Sequence, residues 1–231
     1  MIVLGLDSTG KTASAALVQD GVLIYENYLA AGLTHSERLL TLCDDALRAA
    51  GLQVKDVDLF AVTHGPGSFT GLRIGLAAVK GMAMPFHTPC VGVSTLEALA
   101  WGLRVDGSAL CALDARRGEV YYAAFSVKDG TVTRLCEDSN APAAQLGELV
   151  ASLPGPVWCF GDGAHLVYNA WHESRADLRL WPEDGRLCRA GCVCRAALAS
   201  GVPMDPEKLV PEYHRLSQAE RERANRTSTQ K

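Results

Sequence analysis

The feature that most constrains the fold is a repeat of one local pattern, an apolar run that ends at an aspartate. The first run ends at Asp7 and the second ends at Asp114, 107 residues later. Each run is followed by an Asp-Gly hairpin signal, at Asp20-Gly21 and at Asp129-Gly130, which lie 109 residues apart. A near-constant offset with the same order of elements predicts a duplicated βββαβα unit.

The segments between these landmarks predict the elements of each unit. The first unit has predicted strands at 2–6, 13–18, 22–29, 59–63 and 90–93. Its first helix follows a capping-box pattern, Thr34 to Glu37, and its second follows a Gly-Pro-Gly loop and ends near Met84. The second unit has predicted strands at 110–113, 120–127, 131–136 and 157–160, and helices at 142–153 and 187–200.

Composition and charge exclude several classes of protein. With 48% hydrophobic and 21% charged residues, the chain is expected to fold around a packed core. The net charge of −4 disfavours a protein that grips nucleic acid by itself, so contact with RNA is expected only indirectly. No apolar run is long enough to cross a membrane and the N-terminus lacks a signal-peptide pattern, so a cytoplasmic location is expected.

The eight cysteines are interpreted as buried reduced thiols. Cys188, Cys192 and Cys194 cluster, and the helix predicted there would place Cys188 and Cys192 on one face. No neighbouring motif completes four ligands, so a zinc site is not expected.

The most distinctive local motif runs from His64 to Gly75, HGPGSFTGLRIG. A strand, a tight glycine loop and a helix N-terminus could bind an anion, or could form a close turn without a ligand. The helix behind the loop is rich in small residues, although each internal glycine costs about 1 kcal/mol relative to alanine. Either this helix packs closely on its own sheet, or it presents a face to another protein.

Two such units facing each other resemble the superfamily of actin, Hsp70 and sugar kinases, which implies an α/β actin-like ATPase fold. In that superfamily each Asp-ended hairpin approaches a nucleotide phosphate. The resemblance therefore makes Asp7, Ser8, Arg116, Gly161 and Gly163 weak candidates for nucleotide contacts. Arg116 and Arg117 either fill the phosphate space by pairing with nearby acids, or bind an anion directly.

A closer resemblance is to the TsaB (YeaZ) family. It depends on the stretches GPGSFTGLRIGLAAVKGMA, GVSTLEALA and ALDARRGEVYYAAF, with HSERLL and Pro211-Glu212-Tyr213. The family implies a scaffold subunit in tRNA N6-threonylcarbamoyladenosine modification beside the anticodon, with TsaD and the ATPase TsaE as partners and a homodimer when alone. His214 departs from the family pattern, and the resemblance says little of residues after Arg215.

The resemblance also bears on catalysis. TsaD-like sequences carry two histidines, four residues apart, where this chain has Thr95 and Leu99. Leucine cannot coordinate a metal, so no metal, no catalytic residue and no cofactor are expected in the isolated chain. Weak binding of an adenine nucleotide at the surface shared with the partner stays open. The alternatives are a metallopeptidase-like enzyme and an ATP-hydrolysing enzyme of the same superfamily.

The expected interface with TsaD is an apolar face on the first two long helices, formed by Leu40, Cys43, Leu47, Ile74, Gly75, Ala78 and Met82. The expected organisation is a first lobe at 1–107, a second lobe at 108–203 and a charged tail at 204–231 that docks weakly or frays.

Overall fold

The computed structural model describes residues 1–30 and 35–214. The capping-box residue Thr34 and the tail from Arg215 onward lie outside these residues. Within the described ranges, no helix combines the length and the apolar character needed to cross a membrane.

The first sheet has five strands in the order β3-β2-β1-β4-β5. Strands β1 to β3 form an antiparallel meander, and β4 and β5 run parallel to β1. Their bounds are Ile2–Asp7, Ala13–Gln19, Val22–Leu29, Leu59–Gly65 and Cys90–Ser94.

The second sheet repeats this topology, with the order β11-β10-β6-β7-β8, and β9 pairs with β7 beyond that path. Its strands are β6 Gly107–Arg116, β7 Glu119–Lys128, β8 Thr131–Arg134, β9 Ser139–Pro142, β10 Val157–Phe160 and β11 Leu178–Leu180. Read from β8, the order matches that of the first sheet from β3, which confirms the duplication and the actin-like ATPase fold. Strand β9 was not predicted, and β8 ends two residues earlier than expected.

The described residues form six α-helices: α1 His35–Ala49, α2 Phe69–Ala83, α3 Thr95–Ala100, α4 Gly147–Ser152, α5 Ala164–Trp171 and α6 Ala190–Ser200. The helix predicted at 142–153 is a 3-10 turn, Ala143–Gln145, followed by α4. The helix predicted from residue 187 begins only at Ala190, so Cys188 precedes it and does not share a helical face with Cys192.

The layers follow from the alternation of side chains along each strand. Residues such as Leu4 and Leu6 face a core formed with α1 and α2, while Val3 faces a central core shared with α3, α6 and the second sheet. Helices α4 and α5 cover the outer face of the second sheet. The order is therefore α1 and α2, first sheet, α3 and α6, second sheet, α4 and α5.

After the second sheet, the chain returns to the first lobe. Helix α6 follows the second sheet in sequence but packs on strands β1, β2 and β4 of the first. Met204 then pairs with Cys90, and Leu209 is buried in the first lobe's core. Of the two expectations for the tail, weak docking or fraying, residues 205–214 show docking, through the buried side chain of Leu209.

Candidate functional site

The first Asp-ended hairpin is closed on itself by hydrogen bonds. Asp7 is fully buried, and its Oδ1 accepts hydrogen bonds from the hydroxyls of Thr9 and Thr63, each at 2.7 Å. The backbone N–H of Thr9 donates to the same oxygen at 3.3 Å. This carboxylate oxygen therefore serves to hold the hairpin loop against β4.

The Gly-Pro-Gly loop and α2 pack directly on this hairpin. The N–H of Ser68 donates to the carbonyl of Thr9 at 2.8 Å, and the hydroxyl of Ser8 donates to the carbonyl of Gly71 at 2.9 Å. A Cβ at Gly71 would overlap the carbonyl oxygen of Ser8, and one at Gly75 would come within 2.7 Å of the Ser8 hydroxyl. The interpretation of α2 as packed closely within its own lobe is thus confirmed for these two glycines.

The C-terminal segment covers the same loop from outside. The N–H of Glu212 donates to the carbonyl of His64 at 2.8 Å, and the Glu212 carboxylate lies 3.6 Å from His64 Nε2. Burial lowers the pKa of His64, and the negative charge of Glu212 opposes this shift. The ring of Tyr213 stacks on Phe69 with centroids 4.5 Å apart. The sequence left docking or fraying open for this segment, and its signal for these contacts is the motif Pro211-Glu212-Tyr213.

The second Asp-ended hairpin is open to solvent. Asp114 accepts a hydrogen bond from the N–H of Arg116 at 2.7 Å and pairs with its guanidinium at 3.7 Å. Arg116 therefore pairs with an acid, as in the first of the two alternatives, but its side chain is 82% exposed and so fills little of the space that a phosphate would occupy. Arg116 and Arg117 both have left-handed backbones, with φ of 70° and 60°.

The Gly161–Gly163 turn closes against this second hairpin. Asp162 accepts a hydrogen bond from the N–H of Asp114 at 2.9 Å, and the N–H of Gly163 donates to the carbonyl of Ala112 at 3.0 Å. A Cβ at Gly163 would come within 2.7 Å of the backbone of Asp114. Both glycines, proposed as adenine contacts, here permit close backbone packing.

The cleft between the first hairpin and the Gly161–Asp162 turn has a volume of about 10 Å³ and is lined by Thr9, Gly10, Lys11, Gly161, Asp162 and Cys188, among others. Small-molecule sites typically enclose about 300–1,000 Å³, so this cleft in its present shape is too small for a nucleotide. Cys188 lies beside Asp7, and burial, reinforced by that carboxylate, raises the pKa of its thiol.

The positions equivalent to the histidine pair are buried and apolar in surroundings. Thr95 and Leu99 lie in the core between the sheets. Glu97 instead pairs with Arg134 at 3.2 Å and accepts a hydrogen bond from Ser200 at 2.7 Å. Within 1–30 and 35–214, no three His, Cys, Asp or Glu side chains are grouped so that they could hold a metal ion.

The structure divides the seven residues of the expected partner face. Cys43, Leu47 and Gly75 are buried in their own lobe, which corrects their assignment to an outer face. These three residues are buried because Cys43 and Leu47 lie on the side of α1 that packs on the sheet, and Gly75 packs against Ser8. The other four, Leu40, Ile74, Ala78 and Met82, remain at least partly exposed.

Several exposed residues beside these four were missed. Ala77 and Gly81 lie on the outer side of α2, and Met84 and Phe86, just after it, are 44% and 49% exposed. Their helical spacing with Ala78 and Met82 was the signal that could have identified them.

Comparison with known proteins assigns the chain to a family. The family model described as "TsaD: tRNA N6-adenosine threonylcarbamoyltransferase" matches residues 29–155. An Escherichia coli (strain K12) protein named tRNA threonylcarbamoyladenosine biosynthesis protein TsaB is 38% identical over 208 residues, 88% of this chain and 85% of that protein. A Bacillus subtilis (strain 168) protein of the same name is 29% identical over 95% of this chain and 96% of its own length.

A solved structure described as YeaZ from Pseudomonas aeruginosa matches with a TM-score of 0.77 at 26% identity, covering 92% of this chain and 100% of that one. The duplicated topology, the sequence motifs and these relatives agree: the chain belongs to the TsaB (YeaZ) family.

Proposed function

We propose that this chain is a non-catalytic scaffold subunit in the biosynthesis of tRNA threonylcarbamoyladenosine, the process for which its TsaB relatives are named. The observation that carries the proposal is an exposed stripe of small and apolar residues on α2, in a chain whose hairpin cleft has a volume of only about 10 Å³. The stripe provides a surface for another protein, while the cleft leaves little room for a substrate.

The stripe follows the helical repeat along the outer side of α2. Ile74, Ala78 and Met82 lie four residues apart and are partly exposed, and Ala77 and Gly81 beside them are exposed. Apart from the backbone of its own helix and its chain neighbours, no atom of residues 1–30 and 35–214 lies within 4 Å of the position that a Cβ would take at Gly81. Small side chains let the backbone of a second helix approach closely, while Ile74 and Met82 provide apolar area to bury.

Neighbouring residues extend this surface. Leu40, on the adjacent helix α1, is 55% exposed, and Met84 and Phe86 continue the apolar surface past the end of α2. Contiguous apolar patches are typical of protein interaction sites. We call the surface formed by Leu40, Ile74, Ala77, Ala78, Gly81, Met82, Met84 and Phe86 the α2 face.

The proposed partner of the α2 face is a TsaD-type transferase. The TsaD family model matches more than half of this chain, so a TsaD subunit would carry related helices that could pack against α1 and α2. TsaE would join this pair, and the α2 face would bind a second copy of the chain when TsaD is absent. With a net charge of −4, the chain would contact tRNA only through its partners, in the cytoplasm.

The proposal assigns no catalytic residue and no cofactor to the isolated chain. Its support is the small volume of the hairpin cleft and the use of Asp7 Oδ1 as an internal hydrogen-bond acceptor. An adenine nucleotide would bind only weakly, at a surface completed by the partner.

The test is Ala78→Glu, which places a carboxylate in the centre of the α2 face. Burying an unpaired charge is costly, so affinity for the purified TsaD-type protein of the same organism should fall by about tenfold or more. Calorimetric titration measures the affinity, and thermal unfolding checks that the variant is folded. Gly75→Trp is unsuitable as a probe, because Gly75 is packed against Ser8 inside the lobe.

The matched control is Ala170→Glu, the same change at an exposed alanine of α5 in the second lobe. It should leave the affinity unchanged. Equal affinities of wild type and Ala78→Glu would refute the α2 face. Stoichiometric metal with proteolysis, or ATP turnover by the purified chain alone, would refute the non-catalytic role.

A further inference from the structure

Two adjoining cavities lie near the ends of α3 and α6, with volumes of about 310 and 320 Å³. Each reaches the size range of small-molecule sites. They share two lining residues, Arg104, which follows α3, and Arg195 of α6. We propose that the 310 Å³ cavity, with these two arginines, binds a small phosphate monoester that carries an aromatic or apolar group. This site is additional to the proposed scaffold function.

The cavity lies at the opposite end of the second sheet from the hairpin cleft. Strand β6 begins at Gly107, beside Asp106 in the cavity wall, and ends at Arg116 in the second hairpin. Gly130, in the turn between β7 and β8, also lines the cavity. None of its lining residues belongs to α1 or α2, so it is separate from the α2 face.

The two arginines are the basis of the proposal. Within the described part of the chain, neither guanidinium has a hydrogen-bond or ion-pair partner, and Nη1 of Arg195 is buried. By contrast, Arg189, which lines the 320 Å³ cavity, pairs with Glu26 at 2.9 Å. Both guanidiniums line the same cavity, so an anion that contacts both would interact with two positive charges. Their planar donors match the oxygens of a phosphate group.

The acids near these arginines are held by other groups. Glu26 accepts the N–H of Gly191 at 2.8 Å in addition to its pair with Arg189. Asp106 accepts the N–H of Asp129 at 3.0 Å. Both carboxylates therefore have partners other than Arg104 and Arg195, and within the described residues neither forms an ion pair with these arginines.

The rest of the 310 Å³ cavity is largely apolar. Leu103 and Val127 are buried, and Val132 and the indole of Trp101 complete this apolar wall. The two guanidiniums can only donate hydrogen bonds, so they favour an anion with several acceptor oxygens. The apolar wall beside them favours a ligand in which this anion is attached to an apolar group. An inorganic ion would use only the arginines, and a neutral aromatic molecule only the wall.

The experiment is calorimetric titration of the full chain with phenyl phosphate, inorganic phosphate and benzyl alcohol. We expect one phenyl phosphate per chain, with inorganic phosphate and benzyl alcohol each binding about tenfold more weakly or worse. Arg195→Gln and Arg104→Gln should each weaken phenyl phosphate binding by about tenfold or more, because each removes a charged hydrogen-bond donor. Arg38→Gln, the same change at an exposed arginine of α1, should have no effect.

A further variant, which keeps both arginines, tests the apolar wall separately in case the arginine variants do not fold. Val132→Trp fills part of the apolar wall and keeps both arginines, so it should reduce phenyl phosphate affinity while leaving inorganic phosphate affinity unchanged. Thermal unfolding reports whether each variant is folded. The proposal is overturned if phenyl phosphate does not bind at millimolar concentration, if benzyl alcohol binds equally well, or if the folded Arg104, Arg195 and Val132 variants bind phenyl phosphate as the wild type does.

Discussion

The two Asp-ended hairpins occupy equivalent places in the duplicated fold and have opposite surroundings. Asp7 is buried, its carboxylate accepts hydrogen bonds from two threonine hydroxyls, and α2 covers its loop. Around Asp114, the loop is open, and its two arginines extend from left-handed backbone positions into solvent.

The difference shows that an aspartate at the end of a strand does not by itself define a nucleotide site. In the first lobe the small residues of α2 allow the helix to press on the hairpin, and the loop becomes part of the core. In the second lobe the turn at Gly161–Gly163 contacts the end of the strand and leaves the hairpin tip uncovered. The role of each hairpin depends on the element that packs against it.

Of the substitutions that test this comparison, Gly71→Val in the first lobe should have the largest effect on stability. Even the first side-chain carbon would overlap the Ser8 carbonyl, so α2 must shift away from the hairpin. We expect a loss of about 4 kcal/mol or more in the free energy of unfolding, measured by urea denaturation.

The matched control is Gly81→Ala on the same helix, where a Cβ meets nothing within 4 Å. It should increase the free energy of unfolding by about 0.5–1 kcal/mol, because alanine is the better helix former. If both substitutions lowered the free energy of unfolding by similar amounts, the loss at Gly71 would be due to the geometry of the helix and not to the contact with Ser8.

The aspartates themselves provide the next largest contrast. Asp7→Ala leaves the buried hydroxyls of Thr9 and Thr63 without their acceptor and should cost about 3 kcal/mol. Asp114→Ala removes the hydrogen-bond and ion-pair partner of Arg116 in an exposed loop, and should lower the free energy of unfolding by about 1 kcal/mol or less. Urea denaturation of the two variants measures both values, and equal costs would show that the two loops contribute alike.

The smallest expected effect is an increase in the free energy of unfolding, caused by a substitution in the second hairpin. Arg116 has a φ of 70°, a conformation that glycine adopts without steric cost. Arg116→Gly should therefore raise the free energy of unfolding by about 0.5 kcal/mol, after allowing for the greater freedom of glycine in the unfolded chain. A clear loss of stability in the same denaturation experiment would indicate that the arginine side chain holds the loop.

Local patterns in the sequence were enough to predict most of the fold. Apolar runs and the Asp20-Gly21 turn located β1 to β3, and the near-constant offset between the landmarks of the two units predicted the second sheet. Strand β9, Ser139–Pro142, escaped prediction because its polar sequence becomes a strand only through pairing with β7. Tertiary contact, not propensity, decides such a segment.

The candidate site was less predictable, because periodicity identifies a helical face but not what covers it. The spacing of Leu40, Cys43 and Leu47 fits one broad apolar stripe, yet only Leu40 faces outward. Gly75 was expected to accommodate a partner, but the neighbour it accommodates is Ser8, 67 residues earlier in the chain. Contacts between residues so far apart leave no local trace in the sequence.

The position of the last described residues has a consequence for biosynthesis. Strand β1 is synthesised well before α6 and Leu209, which cover the two faces of its lobe. The first lobe therefore cannot complete its core until the second lobe and Leu209 have also been synthesised. Domain-by-domain folding during synthesis, common in larger proteins, is not available to this chain.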